Sequence, residues 1–395
     1  GAAIPMNGVK YLAGAEHPDS RPLPVYSDEA VSFLSELSAQ LLQTPGVRAY
    51  PDVVSVAFWC RRANLLKRKE GCTQAGIRLG RGLAFHIAPS NIPVNFAFSF
   101  FFALLAGNAS IVRVPSKPFP QVELICQAVR TILPKHPEIA ARTAFVSYPA
   151  DEETTAAFSA MADLRIIWGG DATVSAIRRI PTKPRCLDIV FPDRYSICVL
   201  DGKAVAALGA EELRRLAELF YNDTYLMDQN ACSSPQLILW RNGIAEGKDR
   251  FWQAVLEQAQ EKYDLQGMTA VDKYTRLCQD AIDHEEVTQV IREGGNLLYR
   301  AQLSALPEGT SLRGKGGYFY EYNLASLEEL GQLVNEKYQT LTYFGPDPQE
   351  IQELVMRLRL PGIDRIVPVG SAMDIDIVWD GYDLVIMMSR VVDVR

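Results

Sequence analysis

Hydrophobic periodicity switches back and forth between Gly82 and Leu200, and this switching restricts the fold more than any other feature. Short apolar runs at Gly82–Ala88, Ala109–Val114, Ala144–Tyr148, Leu164–Trp168 and Ser196–Leu200 read as strands. Between them lie helical stretches: an apolar helix ending near Gly107, then Gln121–Leu133, Asp151–Met161 and Ala172–Arg179. Strands separated by helices at this spacing predict an α/β fold with a parallel, doubly wound sheet covered on both faces. Ligands on such sheets bind at the C-terminal strand ends. Two loops there stand out, Pro89–Pro93 and Gly169-Gly170.

A second α/β run follows. A helix is expected at Glu211–Phe220 and a strand at Pro235–Trp240, with Gly-rich loops at Gly314–Gly317 and Phe344-Gly345-Pro346. The first domain is placed at residues 1–207 and the second at 208–374, with 375–395 returning to the first. Leu384–Met388 reads as a strand in that return. Ahead of the first sheet, Val31, Leu34, Leu37 and Leu41 recur at helical spacing within Asp28–Leu42. Val53–Lys69 reads as one helix with a basic polar face.

Composition agrees with two folded domains: 395 residues, 48% hydrophobic and 22% charged. The net charge of −7 and the lack of a Lys/Arg-rich stripe argue against nucleic acid as a partner. Seven scattered cysteines without a CxxC pair argue against a disulfide framework or zinc site, and a reducing cytoplasm is the expected compartment. The four histidines form no HExxH pattern, so no metal is expected. The most apolar stretch, Ile92–Ala106, is interrupted by Pro93, Asn95 and Ser99 and is too short to cross a bilayer. Gly1-Ala2-Ala3 reads as an expression remnant, with no signal-peptide pattern after it.

Three places carry chemistry. Cys232, in Met227-Asp-Gln-Asn-Ala-Cys-Ser-Ser-Pro235, is flanked by small and polar residues just before a strand. It is either a nucleophile or a buried structural thiol. Asn91, between Pro89 and Pro93, is either a helix cap, a role open also to Ser90, or a carboxamide donor to a developing oxyanion. Arg113 and Lys117, in Val112-Arg-Val-Pro-Ser-Lys117, end a strand and are either solvated charges or partners for a nucleotide phosphate or ribose. His86, on a buried strand, reads as structural. Gly80-Arg-Gly82 fails the GxGxxG pattern, and no Walker loop occurs.

Taken in order, the runs Ile87-Ala-Pro-Ser-Asn-Ile-Pro-Val-Asn-Phe, Leu104-Leu-Ala-Gly-Asn-Ala-Ser-Ile-Val-Arg-Val-Pro-Ser-Lys117 and Ile166-Ile-Trp-Gly-Gly170 resemble the aldehyde dehydrogenase superfamily. The cysteine segment and the closing Trp379-Asp-Gly381…Ser389-Arg390 are most similar to LuxC-type acyl-CoA reductases. The resemblance implies an aldehyde-dehydrogenase-like fold, with a nucleotide-binding first domain and a catalytic second domain carrying Cys232 as nucleophile. It implies Asn91 as oxyanion donor. It also implies a cofactor held by Pro89, Ser90, Arg113, Pro115, Ser116, Lys117, Gly169 and Gly170.

Two departures refine it. Acid-forming aldehyde dehydrogenases use a Glu between the Gly turn and the cysteine to activate water, whereas no Glu occurs from Gly169 to Ala210 and Phe191 falls near its place. A base, Lys117, stands where NAD-preferring members carry an acid, which favours NADPH, with NADH the alternative. The family's usual lysine falls at Arg113 or, in another register, at Val114. The expected activity is NADPH-dependent reduction of an acyl-CoA, of fatty acyl type, to an aldehyde through an acyl-cysteine. The rivals are a hydrolytic NAD-dependent aldehyde dehydrogenase and a non-redox acyltransferase. A homo-oligomer and an acyl-activating partner enzyme are also implied. The Phe-rich helix from Val94 to Leu105 serves either an acyl tunnel or the core. Gly314–Gly317 reads as a hairpin turn rather than a loop near CoA phosphates.

Overall fold

The computed structural model describes residues 8–72 and 77–395; Gly1-Ala2-Ala3 lies outside the described residues. The chain divides into two compact units, residues 1–192 with 382–395, and residues 193–381.

The first unit is built on strands β1 (Lys10–Gly14), β2 (Arg78–Gly80), β3 (Leu83–Ile87), β4 (Ala109–Arg113), β5 (Thr143–Ser147), β6 (Leu164–Trp168) and β7 (Leu187–Phe191). Six of them form one sheet in the order β1-β5-β4-β3-β6-β7, parallel except for β1. The chain winds outward from β3 through β4 to β5, then crosses back to add β6 on the other side of β3. That reversal places the loops after β3 and β6 side by side at the switch point, where a doubly wound sheet opens a crevice.

The mostly apolar helix Asn95–Leu105 is buried along nearly its whole length, with Phe96, Phe98, Phe100, Phe101 and Phe102 no more than 5% exposed. Phe100 packs edge-on to Phe145 of β5 and to Phe33 of the helix Asp28–Gln43, and Trp59 stacks on Phe101. These phenylalanines are core. His86 lies between Ser99 Oγ at 2.7 Å and Ser110 Oγ at 3.0 Å, and burial pushes it down to about 3, so it is a neutral structural imidazole.

The Ala106-Gly107-Asn108 turn has a mechanical task. Gly107 adopts φ 94°, and a Cβ there would stand 2.0 Å from the Leu23 carbonyl oxygen. Asn108 is buried; its Oδ1 accepts from the N–H groups of Arg81 (2.7 Å) and Gly82 (3.2 Å), and its Nδ2 donates to the carbonyls of Ala103 (3.1 Å) and Met388 (2.8 Å). Asn108→Ala strands these buried groups and is expected to cost about 3 kcal/mol. A calorimetric scan checks this; an unchanged melting temperature would contradict it.

Three expectations about helix bounds, the C-terminal return and the domain division are corrected. Val53–Lys69 is two helices, Pro51–Trp59 and Arg62–Gly71, because Arg61 is extended (ψ 138°) and the Asn64 side chain takes the Trp59 carbonyl at 2.6 Å. Leu384–Met387 is a short helix; the strand of the return is Ser389–Val391, which pairs antiparallel with β2 outside the large sheet. The strand expected at Ser196–Leu200 belongs to the second unit, so the division falls after Pro192 rather than at 207.

The second unit contains β8 (Tyr195–Asp201), β9 (Pro235–Arg241), β10 (Val287–Glu293), β11 (Leu298–Leu303), β12 (Tyr318–Asn323), β13 (Tyr338–Phe344) and β14 (Arg365–Pro368). They form one sheet, ordered β10-β11-β12-β9-β8-β13-β14, in which only β10 runs antiparallel to its neighbour. Because β11 and β12 are parallel, Gly314–Gly317 ends a crossover and is not a hairpin turn. The core lies on both faces, around Val199, Leu239 and Tyr320 on one side and Trp240, Phe251 and Phe319 on the other.

Candidate active site

In the second unit the chemistry gathers at the N-terminal ends of the parallel strands, opposite to the usual rule. Asp193–Ser196 open β8, Cys232–Ser234 lead into β9, and Gly314–Gly317 lead into β12. These segments and the helix Gly267–Asp283 line a cleft of about 530 Å³. Cys232 lines it as a half-buried thiol, with Arg194, Lys273, Arg276 and Arg313 around it.

The cysteine loop holds its shape through Gln229. Asp228 and Gln229 both lie in the left-handed region, at φ 54° and 59°, which ordinary side chains adopt at a cost. Buried Gln229 compensates: its Oε1 accepts from Gly317 N–H (2.9 Å) and Tyr318 N–H (3.0 Å), and its Nε2 donates to the carbonyls of Pro235 and Tyr318. The Ser234 hydroxyl donates to the Asp223 carbonyl at 2.8 Å, and Ser196 Oγ donates to the Cys232 carbonyl at 2.6 Å. The loop is therefore pinned to the starts of β8 and β12 and to the end of the helix Ala210–Asp223.

Burial is the main cause that pushes the Cys232 thiol up, helped by Asp193 and Asp380; the Arg194 main-chain N–H and the Arg313 charge work the other way. Fully buried Cys60 is raised well above the usual thiol range and Cys126 and Cys198 to about 12, so these thiols are inert. Lys273 is buried, donating to the Asn296 carbonyl and to the Gly316 carbonyl at 2.7 Å; burial pushes it down to about 7. It clamps the Gly-rich loop to the helix. Gln229, Ser196 and Lys273 escaped sequence reasoning because each acts on backbone far along the chain.

The remaining sequence candidates lie in the first unit. Pro89 is buried, while Ser90 and Asn91 are exposed in the turn after β3. The N-cap of the helix Asn95–Leu105 is Val94, with no side-chain hydrogen bond, so neither Ser90 nor Asn91 is used as its cap. Gly170 caps the helix Asp171–Arg178 after β6, and nothing lies within 4 Å of where its Cβ would be. The Arg113 guanidinium is already engaged, donating to the Tyr148 carbonyl at 3.1 Å and lying 4.2 Å from the centre of its ring. Pro115 is buried; Ser116 and Lys117 are exposed. Phe191 ends β7 with its ring 4.1 Å from that of Trp168, an apolar pair offering no base.

Comparison with known proteins gives both a family and a fold. A family model described as acyl-CoA reductase (LuxC) matches residues 62–267, just over half of the chain. A putative aldehyde dehydrogenase from Burkholderia cenocepacia superposes with TM-score 0.60 at 15% identity, over 93% of this chain and 84% of that one. Aldehyde dehydrogenase 21 from Physcomitrella patens, in complex with the reaction product succinate, gives TM-score 0.63 at 11% identity, over 92% and 84%. Proline utilization A from Bdellovibrio bacteriovorus, inactivated by N-propargylglycine, gives 0.64 at 13%, and this chain spans 93% of itself but only 43% of that longer protein. At these identities the likeness is one of fold, the aldehyde-dehydrogenase α/β architecture. No curated protein matches the sequence. No described helix is long and apolar enough to cross a membrane.

Proposed function

This chain belongs to the LuxC acyl-CoA reductase family, and from that membership we propose that it reduces an acyl-CoA to an aldehyde with NADPH through an acyl-cysteine on Cys232. The observation that carries this reading is Cys232 itself, a half-buried thiol in a polar cleft on a loop pinned by Gln229 and Ser196. Cys232 attacks the thioester carbonyl, its proton leaves with the departing CoA thiol, and the acyl group stays on sulfur. Asn91, free of capping duty, and the Cys232 N–H hold the oxyanion.

The first unit suits a dinucleotide. The loops after β3 and β6 flank the switch point, the helix Asp171–Arg178 turns its N-terminus there, and open space at Gly170 admits close approach. Pro89, Ser90, Pro115, Ser116, Lys117, Gly169 and Gly170 would hold it. Exposed Lys117 is the cation for a 2′-phosphate, with Arg113 contributing only if it leaves Tyr148. A bound NADPH would supply the hydride for the acyl carbonyl. With Phe191 at the place of a water-activating acid, the acyl-cysteine lacks a base to drive its hydrolysis. A fatty acyl chain, a homo-oligomer and an acyl-activating partner enzyme complete the proposal.

A panel of acyl-CoAs of different chain length, with NADPH or NADH, tests it. Nucleotide oxidation matched by equal CoA and aldehyde is expected, faster with NADPH. CoA release without nucleotide oxidation points to the acyltransferase and overturns the reading.

A further inference from the structure

The cleft that Cys232 lines has almost no aliphatic wall. Ala231 supplies its one aliphatic side chain; apart from Cys232, the rest of the lining is aromatic, glycine, polar or charged. Cations prevail there, and they differ in what already holds them. The Arg194 guanidinium is taken by Asp364 at 2.7 Å and by Asp380, and Lys273 by the Asn296 and Gly316 carbonyls. Arg313 donates to Asp193 at 2.8 Å and to the Thr310 carbonyl at 2.9 Å, and Lys315 pairs with Asp272 at 2.9 Å. The carboxylates of these last two pairs are 40% and 45% exposed, so water screens them and exchange for a ligand costs little. Arg276 stands apart. Among the described residues its one ion pair is with Asp280, four residues on, at 4.0 Å, too long for a hydrogen bond. Asp280 is fully buried; its Oδ2 accepts from the hydroxyls of Tyr318 and Tyr320, both at 2.6 Å, and its Oδ1 has no hydrogen-bond partner. Asp280 therefore attracts the Arg276 charge without using its N–H donors.

We propose that Arg276, with Lys315 and Arg313, forms an anion subsite in the Cys232 cleft for a phosphate or carboxylate group carried by the thioester substrate. This rests on the acyl-CoA reading. The lining favours a phosphate of the CoA half, because it offers cations and amides and no apolar wall for an alkyl chain. The guanidinium fork of Arg276 matches two oxygens of such a group at once. Lys315 is carried on a built loop rather than a loose one. Gly314 N–H donates to Gln236 Oε1 at 2.8 Å, Gly317 N–H to Gln229 Oε1 at 2.9 Å, and the Gly316 carbonyl accepts from Lys273 at 2.7 Å. The same donors serve a carboxylate at the far end of an acyl chain, and the test separates the two sources.

The test is protection of Cys232 from iodoacetamide by unreactive thioethers, read on the Cys232 peptide by mass spectrometry without nucleotide. The probes are S-ethyl-CoA, S-ethyl-pantetheine, which has no phosphate, and S-carboxypropyl-pantetheine, whose carboxylate is on the acyl side. S-ethyl-CoA is expected to protect at roughly tenfold lower concentration than S-ethyl-pantetheine, and Arg276→Met to erase that advantage. Arg276→Lys keeps the charge but not the fork and is expected to restore part of it. Lys315→Met, at an exposed side chain, is expected to weaken it by less and guards against misfolding of the first variant. If the carboxylate probe alone has an Arg276-dependent advantage, the subsite stands with an acyl carboxylate as its ligand. Two results would overturn the proposal: a wild-type protein that neither anionic probe protects better than S-ethyl-pantetheine, or an advantage that survives in folded Arg276→Met and Lys315→Met proteins. None of this needs turnover. An Arg276-dependent advantage in an enzyme that reduces no acyl-CoA faults the reductase reading alone. Normal turnover beside an Arg276-independent advantage faults the subsite alone.

Discussion

Cys232→Ala is expected to abolish CoA release and nucleotide oxidation together, by three orders of magnitude or roughly that. Without the sulfur there is no atom to take the acyl group, and neither half of the reaction has an alternative route. The buried thiols cannot substitute: Cys60, Cys126 and Cys198 are held protonated. The fold should survive, because the Cys232 side chain is half-buried and the loop is held by Gln229 and Ser196 rather than by sulfur. The comparison is thiol release from acyl-CoA in wild type and variant at matched circular dichroism. Turnover within tenfold of wild type would remove Cys232 from the mechanism.

Asn91→Ala is the second large effect, a fall in kcat of about 100- to 1000-fold with KM little changed. The carboxamide is exposed in the turn after β3, and Val94 rather than Asn91 occupies the helix N-cap. Losing a cap would instead cost stability, about 1 kcal/mol, and leave kcat nearly intact. Steady-state kinetics beside a thermal melt separates the two; a lower melting temperature with unchanged kcat would return Asn91 to a structural part.

Much of the first sheet could be read from sequence because its strands are short apolar runs buried on both faces. Leu164–Trp168 was placed with the right ends, and β3, β4 and β5 within a residue or so. Strand β7 was missed because it is a half-exposed edge, and its Asp188 pairs with Arg165 at 2.7 Å instead of advertising a hydrophobic run. The division after Pro192 was hidden because β8 is as apolar as the strands before it, and only pairing with β9 and β13 assigns it to the second sheet. At the site, Cys232 stood out by its small, polar surroundings. Its supports did not: Gln229 bonds to the backbone of Gly317 and Tyr318, and Ser196 to the Cys232 carbonyl and the Thr340 N–H, distances along the chain that no local pattern encodes.

The mass of the intact enzyme after mixing with acyl-CoA in the absence of nucleotide decides whether an acyl-cysteine forms and escapes hydrolysis. One acyl group per chain, mapped to Cys232, with one CoA released, is expected to persist until NADPH discharges it as aldehyde. An unmodified Cys232, or an adduct that hydrolyses to the free acid as fast as it forms, would contradict it.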